Sequence, residues 1–359
     1  MNRIEALCDV VRTAEADAML LTGEVNLIYA TEATGLEGYC LLLADGTALF
    51  ITDGRYIEAA EMMLPERGFQ VILRTADLTF GEFMLTLLQA HNVRNLLYED
   101  DVLTVRQYTR FRTLFEDITL HPMRDGIERL RARKSEAEIE AVVSAQRIAE
   151  KAFDELLSAL HDGISEREAA AFLDYRMAFH GSEKPSFQTI LLFGENTSKP
   201  HGVPSDRRLR KGDLITADFG AVFRGYHSDM TRTFAWGEVT DEVRKVYDIV
   251  LRAQAAAFEQ AKAGTPCCAM HNAAQSVISA AGYGEYFTHS LGHSLGLEIH
   301  ESPSAAKSCE TLLEDGMILT DEPGIYLAGQ FGIRIEDMVL IHGDTPINLT
   351  HCPKSLRIL

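Results

Sequence analysis

Residues 205–234 read SDRRLRKGDLITADFGAVFRGYHSDMTRTF, and this stretch decides the fold of the larger part of the chain. Two apolar runs, ITADFG and GYHSDMTRTF, flank a turn expected near Phe223-Arg224, so the segment reads as a β-hairpin. Each run carries one aspartate: Asp218 and Asp229 lie eleven residues apart, with Gly220 and Gly225 between them. On that turn the two aspartates stand opposite one another, and opposed residues of antiparallel strands have Cβ atoms about 4.5–5.5 Å apart on one face. A lone acid usually caps a turn or faces solvent. Two acids paired inside apolar strands do not fit that reading.

Further along, the chain repeats the arrangement. Glu322 in LTDEPGIYL and Glu336 in GIRIEDMV flank a second turn around Ala328-Gly329, again between apolar runs. Between the hairpins, HSLGHSLGLEIHE (289–301) holds His289, His293 and His300 among glycines and apolar residues, which favours a site over three unrelated structural imidazoles. Asp218, Asp229, His293, Glu322 and Glu336 thus form a set of four carboxylates and one imidazole. Four negative ligands balance two divalent cations, so such a site can be partly buried without a large uncompensated charge. Two metals that share carboxylates activate water for hydrolysis. The donor set suits manganese first, with cobalt, iron or zinc also compatible. Nucleotide-binding chemistries lack their motifs: there is no GxGxxG or Walker A loop.

The first 120 residues alternate helical and extended patterns: a helix over 2–16, strands at AMLLTG, YCLLLA and ALFITD, a helix over 55–65, QVILRT, a helix near 80–91, then NLLYED. This alternation predicts an α/β layer. A composition shift at HPMRDGIERLRARKSEAEIEAV places a domain boundary near residue 125, giving domains 1–125 and 126–359. Beyond it, Ser135 with Glu138 and Ser165 with Glu168 are capping-box signatures that open helices. Thr240 opens a third helix, expected to end at Gly264, and Thr265-Pro266 a fourth.

Composition narrows the remaining options. At 359 residues, with 46% apolar and 24% charged residues, the chain is an ordinary globular protein of two domains. A formal charge of −19 argues against nucleic acid or an anionic membrane as partner. No apolar run is long enough to span a membrane, and the acidic N-terminus does not read as a signal peptide. Six cysteines without a regular framework read as reduced thiols in a cytoplasmic protein.

Taken together, GHSLGLEIHE, EPGIY, GIRIED and the opening stretch resemble the pita-bread metallopeptidases, the family of methionine aminopeptidase, aminopeptidase P, prolidase and creatinase. LLTGEVNLIYATEATG with LFITDGRY resembles the N-terminal domain of the aminopeptidase P and prolidase branch, and LTHCPKSLRIL its usual ending. The resemblance covers essentially the whole chain. It implies a creatinase-type α/β N-terminal domain followed by an α+β pita-bread catalytic domain. It further implies that Asp229 and Glu336 bridge two metals, that Asp218 binds one, and that His293 and Glu322 bind the other. Glu322 is then also the general base toward water, and His300 and His201 hold the scissile carbonyl and its oxyanion. His289 and Arg334 line the substrate site. The implied substrates are small peptides with proline in second position, and the implied assembly is a homodimer in which TDGRY (52–56) and the loop 31–38 approach the partner's cleft.

Two departures from the family pattern stand out. Asp321 replaces the usual apolar residue before the EPG glutamate; strand alternation turns it away from the metals, and a backbone or basic partner is expected for it. Ser304 occupies the place where prolidases often carry an arginine that holds a dipeptide's carboxylate. This favours an Xaa-Pro aminopeptidase acting on longer peptides, with Xaa-Pro dipeptidase (prolidase) as the alternative. A creatinase-like hydrolase does not need all five ligands. A catalytically inactive binding module of this fold would have lost some of them.

Overall fold

Short runs of β-branched and aliphatic residues build one six-stranded sheet in the first third of the chain, in a computed structural model that describes residues 2–359. Its strands are β1 (Ala18–Leu21), β2 (Tyr39–Leu43), β3 (Ala48–Thr52), β4 (Gln70–Leu73), β5 (Asn95–Tyr98) and β6 (Thr119–Pro122), in the order β4-β3-β2-β1-β5-β6. The β2–β3 hairpin and the β1–β2 pair, which is joined through the helix Glu24–Thr31, are antiparallel, whereas β3–β4, β1–β5 and β5–β6 are parallel. Leu20, Leu41, Leu49 and Ile51 of the sheet pack with Met84, Leu88 and Phe111 from the helices Phe80–Ala90 and Val105–Leu114, and with Phe115 at the end of the latter. Both helices open with capping boxes, Thr79 with Glu82 and Thr104 with Gln107. The chain divides after Arg131, and the unit from Ala132 to Leu359 has its own core.

That second unit begins with two helices, Glu136–Ala159 and Glu166–Phe179, opened by the capping boxes of Ser135 and Ser165. They pack against a sheet of β7 (Ile190–Phe193), β8 (Asp213–Phe219) and, after the short hairpin β9 (Val222–Phe223) and β10 (Tyr226–His227), β11 (Met230–Trp236). Phe153, Leu173, Phe219 and Phe234 form the centre of that contact. Burial of each such side chain stabilises by roughly 1.5–3 kcal/mol. At the end of β11, Trp236, the only tryptophan of the chain, donates from its indole to Asp162 Oδ1 at 2.6 Å.

A second sheet comprises β12 (Gly292–Ser294), β13 (Glu301–Ala305), β14 (Ile318–Asp321), then, after the hairpin β15 (Gly324–Leu327) and β16 (Phe331–Arg334), β17 (Asp337–Leu340) and β18 (Ile347–Asn348). Val246, Val250, Met270 and Ala274 of the helices Asp241–Phe258 and Cys268–Ala280 pack with Leu319, Ile333 and Val339. The architecture is α+β, with strands at the centre of the unit and helices against them.

Two helix boundaries differ from expectation. The helix begun by Thr240 ends at Phe258, because the amides of Ala263 and Gly264 bond the carbonyls of Gly343 and Leu313 instead of extending it. The next helix starts at Cys268, not at Pro266. Pro266 forms a bridge with Leu312, and the Cys267 and Cys268 amides are taken by Thr311 and Cys309. All six cysteines are free, and no described helix is long and apolar enough to cross a membrane.

Candidate metal centre and active site

Both predicted hairpins form, and their registers set the site. The first turns at Arg224-Gly225, with φ of 52° and 79°, the two-residue geometry whose twist matches flanking strands. This is one residue later than expected, so the register moves by two: Asp218 pairs with Thr231, and Asp229 lies just before β11. The two aspartates are therefore diagonal rather than directly opposed. A shift of two preserves the strand's alternation, and both carboxylates stay on the same face. Gly220 permits the close approach at this point, since a Cβ there would lie 1.8 Å from Ser228 O.

In the second hairpin Asp321↔Asp337 is the last pair of one ladder and Gly324↔Arg334 the first of the next, which leaves Glu322 and Glu336 as the opposed pair between them. His293 comes from β12, held beside β14, and Gly292 has no room for a side chain because Thr320 O is 2.1 Å from where its Cβ would be.

These elements converge on one cavity of about 570 Å³, lined by Asp218, Asp229, His293, Glu322 and Glu336 and also by His201, His289, His300 and Arg334. Ligand atoms of Asp229, His293 and Glu336 all lie within 4.8 Å of one another. His293 Nε2 is 3.5 Å from Asp229 Oδ2 and 3.6 Å from Glu322 Oε1, while its Nδ1 faces Ser294 O at 3.1 Å, so Nε2 is the nitrogen turned to the carboxylates. Burial, followed by the charge of Asp218 and Glu322, pushes the Asp229 carboxyl well up; burial and then Asp229 do the same to Glu336. Glu322 is pushed up to about 8, chiefly by burial, with Arg334 opposing and Asp218 adding to the shift. Burial, then His300, lowers His293 to about 4, keeping its imidazole neutral as a metal ligand requires.

The protein's own groups satisfy these carboxylates only in part. Arg334 Nη2 donates to Asp218 Oδ2 at 2.5 Å, Thr231 Oγ1 to Glu336 Oε2 at 2.6 Å and Thr320 Oγ1 to Glu322 Oε1 at 3.1 Å. Asp218 Oδ1 and Asp229 Oδ1 are buried with no hydrogen-bond partner. Buried orphan oxygens beside mutually repelling carboxyls and a neutral imidazole fit divalent cations, which would supply the missing positive charge.

Next to this cluster His300 stands edge-on to His293 with ring centroids 4.4 Å apart. His289 Nε2 lies 2.9 Å from Tyr326 OH, which also accepts from Arg334 Nη1 at 2.7 Å. Tyr326, Thr231 and Thr320 are the partners that sequence reasoning missed. Tyr326 falls inside a quoted motif, but nothing in the sequence separates a site tyrosine from a core one, and threonines in strands are ordinary β-formers. The apolar wall of Phe187, Ile190, Val203 and Ile299 was equally silent. Ser304 lines the cavity opposite His293.

Asp321 requires a correction. It does lie outside the cavity lining, opposite Asp337, yet neither of its oxygens has the partner expected for it, although the residue is only 1% exposed. The basic groups within reach are already committed: Arg232 and Lys354 bond Asp337, at 2.7 Å each.

The chain matches the model of metallopeptidase family M24 over residues 140–343 and that of the creatinase/prolidase N-terminal domain over residues 3–133. It is 36% identical over 356 residues to an Xaa-Pro dipeptidase of Pyrococcus furiosus, covering 99% of each chain. Among solved structures, an Xaa-Pro dipeptidase from Bacillus anthracis superposes with a TM-score of 0.95 at 36% identity, covering 99% of both chains. An X-Pro aminopeptidase from Thermotoga maritima superposes with a TM-score of 0.92 at 34% identity, covering 98% of this chain and 100% of that one. This chain belongs to metallopeptidase family M24, the pita-bread metallopeptidases, in the aminopeptidase P and prolidase branch that carries a creatinase/prolidase N-terminal domain.

Proposed function

We propose that this metallopeptidase is an Xaa-Pro dipeptidase that holds two divalent cations, manganese first among the candidates. The observation that carries the reading is the convergence of four carboxylates and His293 with His201, His289, His300 and Arg334 on one cavity of about 570 Å³, a volume suited to a short peptide. Asp229 and Glu336 would bridge the ions, with Asp218 on one and His293 with Glu322 on the other. When bound, the ions supply Lewis acidity and make water acidic enough to react near neutral pH. Glu322 takes the proton from the attacking water and returns it to the proline nitrogen as the C–N bond breaks. His300 and His201 donate to the carbonyl oxygen as negative charge develops there. Arg334 pairs with Asp218 and orients Tyr326, which in turn fixes His289.

A dipeptide preference agrees with the names of the relatives, two of which are Xaa-Pro dipeptidases. One observation favours a second reading, that of an Xaa-Pro aminopeptidase. Ser304 lines the cavity where a carboxylate-holding arginine would stand, so a dipeptide's free carboxylate meets an acidic site without a cation from that position. Side-by-side kcat/KM for Ala-Pro and Ala-Pro-Ala, with each candidate metal, decides between them. Higher kcat/KM on the dipeptide supports the dipeptidase; equal or higher values on the tripeptide return the chain to the aminopeptidases. Hydrolysis of neither rejects both. The same reading assigns catalysis to residues 126–359 and gives residues 1–125 a part in a cytoplasmic homodimer, through 52–56 and 31–38, which light scattering tests.

A further inference from the structure

Lys134 has an ammonium group almost sealed from solvent, its side chain 1% exposed, at the junction just before the Ser135 helix cap. Its Nζ lies 3.0 Å from Glu301 Oε2, 3.3 Å from Ser294 Oγ and 3.4 Å from Ala132 O, and its backbone amide donates to Gly316 O at 2.8 Å. The two side chains it touches belong to the residues directly after His293 and His300. Ser294 and Glu301 are themselves a register pair of β12 and β13, at the point where the ladder slips between His293 and Ser294. The ladder is locally disrupted at this slip, and the Lys134 contact spans the same point. The Glu301 carboxylate is also pressed onto the intervening loop: its oxygens lie 2.7 and 2.8 Å from where a Cβ on Gly296 would be, and Oε1 accepts from the Glu298 amide at 3.2 Å. Ser294 Oγ is tied in addition to Ile318 O at 2.9 Å on β14.

We propose that Lys134, through Glu301 and Ser294, is a positioning residue that sets the spacing of His293 and His300 and so the turnover of the site. Lys134 touches neither the cavity nor the substrate. It holds, by one buried cation, the two backbone segments whose rings must face the metal side and the carbonyl side of the same bond. Loss of the cation takes the ion pair from the buried Glu301 carboxylate, and the loop from 295 to 300 relaxes toward water. His300 moves with that loop, whereas the binding of the peptide's remote groups does not depend on it.

This inference rests on the peptidase reading for its kinetic part and on geometry alone for the rest, so two readouts are needed. The full-length protein and its Lys134→Met, Lys134→Arg, Glu301→Gln and Lys134→Met/Glu301→Gln variants are loaded with manganese to equal, measured content, and kcat and KM are determined on the better Xaa-Pro peptide. In parallel, long-range 1H–15N spectra of the histidine rings are recorded on the metal-free proteins, with His91 and His121 of the other unit as references. Lys134→Met is expected to lower kcat on the order of 100-fold, the scale of a 1 Å misplacement, with KM within about threefold. Glu301→Gln is expected to fall similarly, the double variant no further, and Lys134→Arg to recover part of the loss. The His293 and His300 signals should shift while the reference signals stay. Unchanged kcat in a folded variant, losses that simply multiply in the double variant, or unmoved His300 signals would overturn the proposal. Should Lys134→Met not fold, Glu301→Gln carries the same comparison. If the unaltered protein cleaves no Xaa-Pro bond, the peptidase reading fails and the ring signals alone decide the clamp.

Discussion

Replacing Asp321 by leucine should make this protein more stable. The residue is 1% exposed, neither carboxyl oxygen has a hydrogen-bond partner, and the residue opposite it in the ladder is another acid, Asp337. Burial, followed by the charge of Asp337, drives its carboxyl well above the usual range, so the fold bears either a protonated, unpaired acid or an uncompensated charge. A buried polar group without a partner costs about 1–3 kcal/mol, and Leu, close in shape, removes both orphan oxygens at once. For a unit of this size each kcal/mol moves Tm by about 2–4 °C, so the expected gain for Asp321→Leu is about 2–12 °C. Asp321→Asn should gain less, because the amide still needs partners that are absent. The assay is calorimetry or urea unfolding on metal-free protein, so that ligand binding does not enter the comparison. A loss of stability in Asp321→Leu beyond about 1 kcal/mol, with Asp321→Asn neutral, would show that the carboxyl has a partner after all and refute the reasoning.

Three further outcomes test the site. Asp229→Ala or Glu336→Ala should abolish hydrolysis and lower bound metal measured by elemental analysis; full metal with ordinary turnover would sink the assignment of these two as bridging ligands. His293→Ala should lose metal, whereas His300→Ala and His201→Ala should retain it and lose mainly kcat, and equal metal loss in all three would show that their roles are wrongly divided. Ser304→Arg should raise kcat/KM on Ala-Pro relative to Ala-Pro-Ala about tenfold, the value of one charge-assisted hydrogen bond of about 1.4 kcal/mol; an unchanged ratio would mean that position 304 does not face the peptide's carboxylate.

What could be read in advance follows from which interactions are local. Capping boxes at Ser135 and Ser165 use residues three apart, so the sequence contains both partners, and both helices begin where expected. Hairpin carboxylates were legible because strand alternation has a period of two. The turn at Arg224-Gly225 is displaced by one residue from its expected place, yet Asp218 and Asp229 still share a face, since the register error is even. Pro266 was misplaced because a distant loop segment, 309–312, takes the amides that would otherwise begin a helix. Thr231 was not found because its partner Glu336 stands 105 residues away; Thr320 and Tyr326 have partners close in sequence, but their types carry no signal alone. Asp321 was misread for the opposite reason. Its orientation follows from alternation, but the prior engagement of Arg232 and Lys354 with Asp337 is visible only in three dimensions.

Trp236 gives the molecule a built-in reporter of one half of itself. As the sole indole, bonded to Asp162 within the unit that starts at Ala132, it makes fluorescence excited selectively at tryptophan report from that unit and not from the tyrosines of the first 131 residues. Circular dichroism, by contrast, sees the helices of both units. Superimposable melting curves from the two signals would mean that the halves unfold together, and separated curves would time the loss of each without any label or truncation.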